Sequence, residues 1–383
     1  MITRLSGVLL GLGLAGLVLL CSGPGGRSTP PIGACAGPAL SDCEGDIREL
    51  VIQYVPDAGP VVQTALRAFL ADLPDSVIVT VVCPDRAAYD DFISRIGSPS
   101  CVIRPVLADH QMTFWSRDRW LALSPIRPGQ PTTLLLPHGE SGAEIWAGRA
   151  GDRRVGLDIA AASDGDVRAE RDALYFDGGD FVADEHSVFV TPRVFRRNFQ
   201  RTVAGVEQLV AMLTGTLKRN VVLLENAPEH HAGMFMMTVG SRTVIVGDPA
   251  LAKRHLERAG PGEAASLETL MAPGRGFDST GETQLLFDAV AEQCRRSGYH
   301  VMRIPVLPGR DGRTYLTYLN VIIDCRDGER VVYMPVFRGA ESLNRAAEEV
   351  WRAAGYTVRQ VDCTDVYVHG GSLRCLVSVL GRG

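Results

Sequence analysis

From about residue 50 onward, short β-branched runs alternate with apolar stripes at helical spacing, and this alternation restricts the fold more than any other feature of the chain. Residues 50–54, 76–83 and 101–107 read as strands. Between the first two, Val61, Val62, Ala65, Leu66, Phe69, Leu70 and Leu73 mark one helix face, and 87–96 reads as a second helix. The middle is richer in strands, at 120–123, 133–136, 173–176, 187–191, 221–224, 234–239 and 243–246, with one helix over 205–213. The last third repeats the opening rhythm: a helix over 285–294, strands over 299–304, 315–323 and 331–335, a stripe of Leu343, Ala346, Ala347, Val350, Trp351 and Ala354, then a strand over 356–361. Gly-rich stretches at 137–151 and 259–281 read as loops. The pattern predicts an α/β protein of several similar units, although the units do not align by residue identity.

The two ends of the chain carry different information. Residues 1–21 read as an export signal. Arg4 supplies the positive start, and residues 8–20 contain only Gly, Ala, Val and Leu, a run too short for a membrane span. Cys21 closes the run where a bacterial lipoprotein cysteine would stand, although Leu20 before it is bulky for that processing. Export is expected, to a periplasmic, extracellular or lipid-anchored location, with a lipid on Cys21 as the expected route to a membrane. Residues 22–45 are rich in Gly, Pro, Ser and Ala and read as a flexible tether, leaving 46–383 as one domain. The nine cysteines suit an exported protein. Cys35–Cys43 and Cys83–Cys101 are close enough in sequence to pair, and Cys325–Cys363 would join neighbouring strands. No Cys/His cluster has zinc spacing, so neither metal nor cofactor is expected. A formal charge of −5 argues against nucleic acid as a partner.

Five stretches hold chemistry-bearing residues. They are Phe114-Trp115-Ser116-Arg117-Asp118-Arg119-Trp120, Tyr175-Phe176-Asp177-Gly178-Gly179-Asp180-Phe181, Glu229-His230-His231-Ala232-Gly233-Met234, Thr317-Tyr318-Leu319-Asn320 and His369-Gly370-Gly371-Ser372-Leu373-Arg374-Cys375. The last runs into an apolar strand over 376–380, which would place the thiol at a strand mouth. Each stretch alone has a structural reading: an Arg–Asp pair beside core tryptophans, an acidic turn, a solvated histidine pair, a buried cysteine. Together they supply a nucleophile, a proton shuttle, a carboxylate to orient it and a carboxylate to hold a cation. That set fits a cysteine hydrolase acting on a cation, and an ordinary Cys/His/Asp protease uses the same residue types.

The order Trp-x-Arg-Asp, acid-Gly-Gly-Asp, His before Met-Phe-Met, and Gly-Gly-Ser-Leu-x-Cys resembles the guanidine-modifying (pentein) enzymes, with the agmatine deiminases and bacterial-type peptidylarginine deiminases nearest. The resemblance runs from about residue 50 to the C-terminus. It implies a five-bladed α/β propeller of ββαβ-type units around a central site. It implies Cys375 as nucleophile, His231 as general acid/base and Asp177 beside that histidine in place of the family's glutamate. Asp118 would grip the substrate guanidinium, with Trp115, Arg117 and Asp180 as further substrate-binding neighbours. The implied reaction is hydrolysis of a guanidino group, in peptidylarginine or an agmatine-like compound, to a ureido group and ammonia through a Cys-thiouronium intermediate. The partner is then a guanidino small molecule or an arginine-containing protein. Two departures stand out. Gly233 replaces the family's second guanidinium-binding Asp, a loss of about 1.5–3 kcal/mol for a charge-assisted contact. Arg374 replaces a common His before the cysteine. The alternatives are a catalytically degenerate exported propeller that binds a cationic ligand or partner, and an amidinotransferase.

Overall fold

The structure is a computed structural model that describes residues 36–139, 147–259, 261–270 and 276–383. The expected export signal, Cys21 and the Cys35–Cys43 pairing involve residues outside that range.

The chain builds its first sheet from β1 (Ile47–Gln53), crosses over by helix α1 (Gly59–Ala71), and returns as β2 (Ile78–Cys83), parallel to β1. α1 buries Val62, Ala65, Leu66, Phe69 and Leu70, the face its sequence spacing marks. Helix α2 (Arg86–Ile96) starts where the Asp85 side chain accepts the Ala88 N–H. It leads to β3 (Val102–Leu107), parallel to β2.

Three shorter units follow the same plan. β4 (Leu121–Leu123) pairs antiparallel with β5 (Thr132–Leu136), helix α3 (Ala147–Ala162) crosses over, and β6 (Val167–Arg171) runs parallel to β5. β7 (Phe181–Ala183) and β8 (Ser187–Val190) are likewise followed by α4 (Pro192–Asn198), α5 (Val206–Leu217) and β9 (Asn220–Leu223). β10 (Met236–Thr238) and β11 (Thr243–Asp248) are followed by α6 (Pro249–Ala259), α7 (Pro261–Leu270), α8 (Gly281–Arg296) and β12 (His300–Pro308), on which β13 (Tyr315–Thr317) adds antiparallel.

The fifth set is β14 (Ile322–Arg326), β15 (Glu329–Val336), α9 (Glu341–Ala353) and β16 (Thr357–Asp362). The last strand, β17 (Val377–Arg382), pairs antiparallel with β1 and completes the first sheet. All five sheets therefore share one plan: an antiparallel pair, a helical crossover, and a third strand parallel to the second.

Several expectations need correction. The strand expected at 173–176 is a loop, and the strand of that unit is β6. Its residues, Val-Arg-Ala-Glu-Arg, carry too much charge to read as a strand from apolar alternation. The run 315–323 is not one strand but β13 and β14, which belong to different sheets. The presumed loops at 137–151 and 259–281 contain the start of α3 and all of α7. Residues 36–45 are not tether. Ala36, Ala39 and Cys43 are buried, Gly37 N–H donates to Ser124 O at 2.7 Å, and Asp42 N–H donates to Ala183 O at 2.8 Å. A Cβ on Gly37 would lie 2.5 Å from Ser124 O, so the small residues here serve close backbone approach rather than flexibility.

The seven described cysteines are free thiols. Strand register explains two of the failed pairings. Cys83 lies opposite Leu107, whereas Cys101 precedes Val102, which lies opposite Ile78. The two thiols therefore sit at opposite ends of the β2–β3 ladder, roughly 16 Å apart at the usual rise per residue. Cys325 lies at the Arg330 end of its sheet and Cys363 follows Asp362 at the Val336 end. Neither separation can be bridged by a disulfide.

Candidate active site

All five stretches singled out in the sequence occupy the same place in the plan, just before the first strand of a sheet. Asp118 precedes β4, and Asp177 precedes the short turn Gly178–Asp180 that enters β7. His231 caps the turn Ala232–Met234 before β10, Asn320 precedes β14, and Cys375 lies in a one-turn helix, Leu373–Leu376, before β17. The thiol is thus on a helical turn and buried, not at a strand mouth.

Contacts run from each segment to the next and close on themselves. Gly178 N–H donates to Asp118 O at 2.8 Å. The His231 ring lies against Gly179, where a Cβ would come within 2.5 Å of Nδ1. Asn320 Nδ2 donates to Gly233 O at 3.4 Å, and Cys375 N–H donates to Asn320 Oδ1 at 3.2 Å. Arg117 N–H donates to Cys375 O at 3.3 Å and closes the ring. Residues distant in sequence meet because equivalent loops of repeated units face one place.

The electrostatics centre on His231. Its Nδ1 is 3.8 Å from Asp118 Oδ1 and its Nε2 is 3.6 Å from Asp177 Oδ2. Burial alone would deprotonate this imidazole. Asp118, Asp177, the hydrogen-bonding Cys375 side chain and Asp180 outweigh burial and raise its pKa to about 10. Burial likewise works against the charge on Asp177, yet Arg197, His231, Arg119 and Arg149 hold it well below the usual carboxylate range. Asp118 is also lowered, against burial, chiefly by Arg149 and His231.

His230 behaves in the opposite way. Burial, His231 and Arg193 push its pKa down to about 3. Its Nδ1 accepts the His231 N–H at 2.7 Å, so the proton of the neutral ring sits on Nε2, which donates to Arg313 O at 2.8 Å. His230 therefore fixes the backbone of His231. It also lines a cleft of about 580 Å³ with Asp311, Arg313, Thr314, His369 and Gly370, beside the glycine turn that leads to Cys375.

The other expected site residues are placed as follows. Trp115 packs on Gly371, where a Cβ would meet its ring at 2.5 Å and the Cys375 Cβ at 3.2 Å. This close approach explains the second glycine of the turn. Asp180 is fully buried and holds its own turn: it accepts from Asp177 N–H at 3.1 Å, Thr191 Oγ1 at 3.0 Å and Arg197 Nη1 at 3.2 Å. Arg117 faces Asp42 at 3.8 Å, and its pKa is brought down to about 10 by burial and by Arg374.

Sequence reading missed four participants. Arg149 on α3 donates to Asp118 Oδ2 at 2.6 Å and Asp177 Oδ1 at 3.2 Å. Arg197 donates to Asp177 Oδ2 at 2.7 Å, and Arg193 lies 3.7 Å from the same oxygen. Asp42 accepts from Arg374 Nη2 at 2.8 Å. Arg149 and Asp42 fell in stretches whose small residues read as loop or tether, so composition concealed them. The Arg374 side chain points away from the solvent, to Asp42 and to Phe181 O at 3.0 Å, and its Nη1 lies 3.0 Å from where a Gly233 Cβ would be. The space of the family's second carboxylate is thus bordered by a guanidinium.

Away from this centre, Cys43, Glu44 and Glu185 bring donor atoms within 4.8 Å of one another. Burial and Glu44 push the Cys43 thiol up, and burial together with Glu185 lifts Glu44 to about 7, so these donors hold protons.

No protein-family model matches the sequence, and no curated protein matches it. Solved structures do match. The C. jejuni agmatine deiminase superposes with a TM-score of 0.64 at 12% identity, over 89% of this chain and 95% of that one. The agmatine deiminase of Enterococcus faecalis gives 0.63 at 14% identity, over 89% and 95%. A protein provisionally described as a peptidyl-arginine deiminase gives 0.64 at 14% identity, over 91% and 100%. Across nearly its whole described length, the chain has the mixed α/β fold of the agmatine deiminases, the pentein fold that its motif order resembles.

Proposed function

We propose that the protein is an exported deiminase that hydrolyses a guanidino group to a ureido group and ammonia, with Cys375 as nucleophile. The observation that carries this reading is the position of His231, held protonated between Asp118 and Asp177 and next to Cys375, at the meeting point of five equivalent loops. The closed ring of contacts and the five sheets of one plan support a closed five-bladed propeller.

In the first step the Cys375 thiolate attacks the guanidinium carbon, forming a C–S bond. His231 gives its proton to the departing nitrogen, the C–N bond breaks, and ammonia leaves behind a thiouronium on Cys375. In the second step water attacks the same carbon, His231 takes the water proton, and the C–S bond breaks to return the thiolate and release the ureido product. His231 suits the first step because it begins protonated. Asp177 orients it from one side and Asp118 from the other. Export, if processed at Cys21, would leave the enzyme on a lipid anchor among extracellular proteins, which favours arginine in a peptide over agmatine.

The test is direct. Incubated with agmatine, free arginine and an arginine peptide, the purified protein should release equal amounts of ammonia and ureido product from at least one of them. Cys375→Ala should lose at least a thousandfold in rate. Product that survives this change would remove Cys375 from the role. The absence of product with all three compounds favours the second reading, a cation-binding propeller without turnover, which Gly233 and the neighbouring Arg374 make concrete.

A further inference from the structure

The carboxylate expected to grip a substrate guanidinium already holds one. Arg149 Nη1 lies 2.6 Å from Asp118 Oδ2, Nη2 lies 3.2 Å from Asp177 Oδ1, and Asp152 Oδ2 is 3.7 Å from Nη1. The Arg149 side chain is 7% exposed. This is the contact pattern a planar guanidinium makes with a pair of carboxylates, and a point-like ammonium would not reproduce it.

The arginine is not loosely placed. It lies in the first turn of α3, and two residues later Gly151 packs so tightly on Gln111 that a Cβ would fall 1.7 Å from its carbonyl oxygen. Asp152, one helical turn along, accepts from Thr113 N–H at 2.7 Å, Thr113 Oγ1 at 2.6 Å and Gln53 Nε2 at 3.2 Å. The helix start is therefore fixed to the segment that carries Asp118. The remaining oxygen, Asp118 Oδ1, is buried, accepts no hydrogen bond among the described residues, and faces His231 Nδ1. Position 233 offers no carboxylate and is bordered by Arg374. An incoming guanidinium finds no open carboxylate pair.

Resting on the deiminase reading above, we propose that Arg149 is the specificity-determining residue of this site: its guanidinium stands in the place of the substrate's, and a guanidino ligand binds by displacing it from Asp118. Exchange of one guanidinium for another leaves the local charge unchanged, so the exchange itself contributes little. Net affinity must come from the rest of the ligand. A small guanidine such as agmatine has little to add, whereas an arginine within a longer chain can use the neighbouring cleft of about 580 Å³ at His230, Arg313 and His369.

The experiment is agmatine binding by calorimetry in a Cys375→Ala background, which removes turnover from the measurement. Relative to that parent, adding Arg149→Gln should tighten agmatine binding about tenfold or more, the scale of one recovered charge-assisted contact. Arg149→Lys, which keeps the charge and gives up the paired geometry, should show a smaller gain and serves if the Gln variant does not fold. Agmatine binding that is unchanged or weaker in whichever variants fold overturns the proposal. The two readings fail separately. Ureido product from the wild type with no gain in binding removes only the role of Arg149. A gain in binding with no product from Arg149→Gln in the Cys375 background leaves Arg149 in place and removes the deiminase.

Discussion

His230 and His231 are adjacent and carry the same ring, yet their surroundings move them in opposite directions, to about 3 and about 10. The neutral one spends both nitrogens on backbone groups, and the charged one meets carboxylates on both sides. The sequence shows two histidines before an apolar strand and nothing that separates them; the choice of His231 came from alignment to a family motif. The consequence for pH follows from the sign of each shift. A pKa raised in the folded state means that folding favours the proton, so the His231 contribution is complete below the ordinary 6.5 and is lost as pH rises towards 10. His230 contributes above 6.5 and loses its contribution as pH falls towards 3. Comparing thermal melts, the advantage of the wild type over His231→Gln should shrink between pH 6.5 and 10. A difference that stays constant over that interval would rule out a protonated His231 as a source of stability.

At the scale of elements, the informative case is the segment between β13 and β14. Apolar periodicity reads 315–323 as one strand because Tyr318, Leu319 and Val321 are as apolar as the strands they join. All three are buried, but they cross from one sheet to the next. That crossing brings Asn320 to Cys375. It is held from α9, where the fully buried Trp351 donates its Nε1–H to Tyr318 O at 2.9 Å. The stripe on α9 is thus legible as a core face, whereas its hold on the crossing segment is a tertiary fact. Trp351→Ala should cost about 3–5 kcal/mol in denaturant unfolding, and Trp351→Phe nearer 1–2 kcal/mol because it loses mainly the hydrogen bond. Equal costs for the two would mean that the N–H contributes alone and the ring volume does not.

At the scale of the molecule, the two ends of the domain depend on each other. β17 pairs with β1 over Ile47 to Ile52, and Arg382 donates to Gly45 O at 2.9 Å, Asp42 O at 3.1 Å and Ile323 O at 2.9 Å. Removal of residues 377–383 therefore opens the first sheet, exposes buried Leu50 and Ile52, and frees the helix that carries Cys375. The truncated chain should lose its cooperative melting transition by circular dichroism. A sharp transition within a few degrees of the full chain would show that the strand is dispensable. Residues 36–45, taken from composition as a tether, are part of the same closure, since Asp42 lies between Arg117 and Arg374.

Read by itself, the sequence determined the alternation of strands and helices and the residue types of the centre, because both are written locally: periodicity belongs to a dozen neighbouring residues, and a motif belongs to fewer. The tertiary structure decided which of those residues meet and which cations accompany them. Arg149, Arg197, Asp42 and Arg374 reach the centre from a helix start, a helix end, a chain entry and a turn. A charge buried against a partner far away in the chain leaves no mark in its own neighbourhood, since the favourable interaction depends on distance in space and the sequence records only distance along the chain.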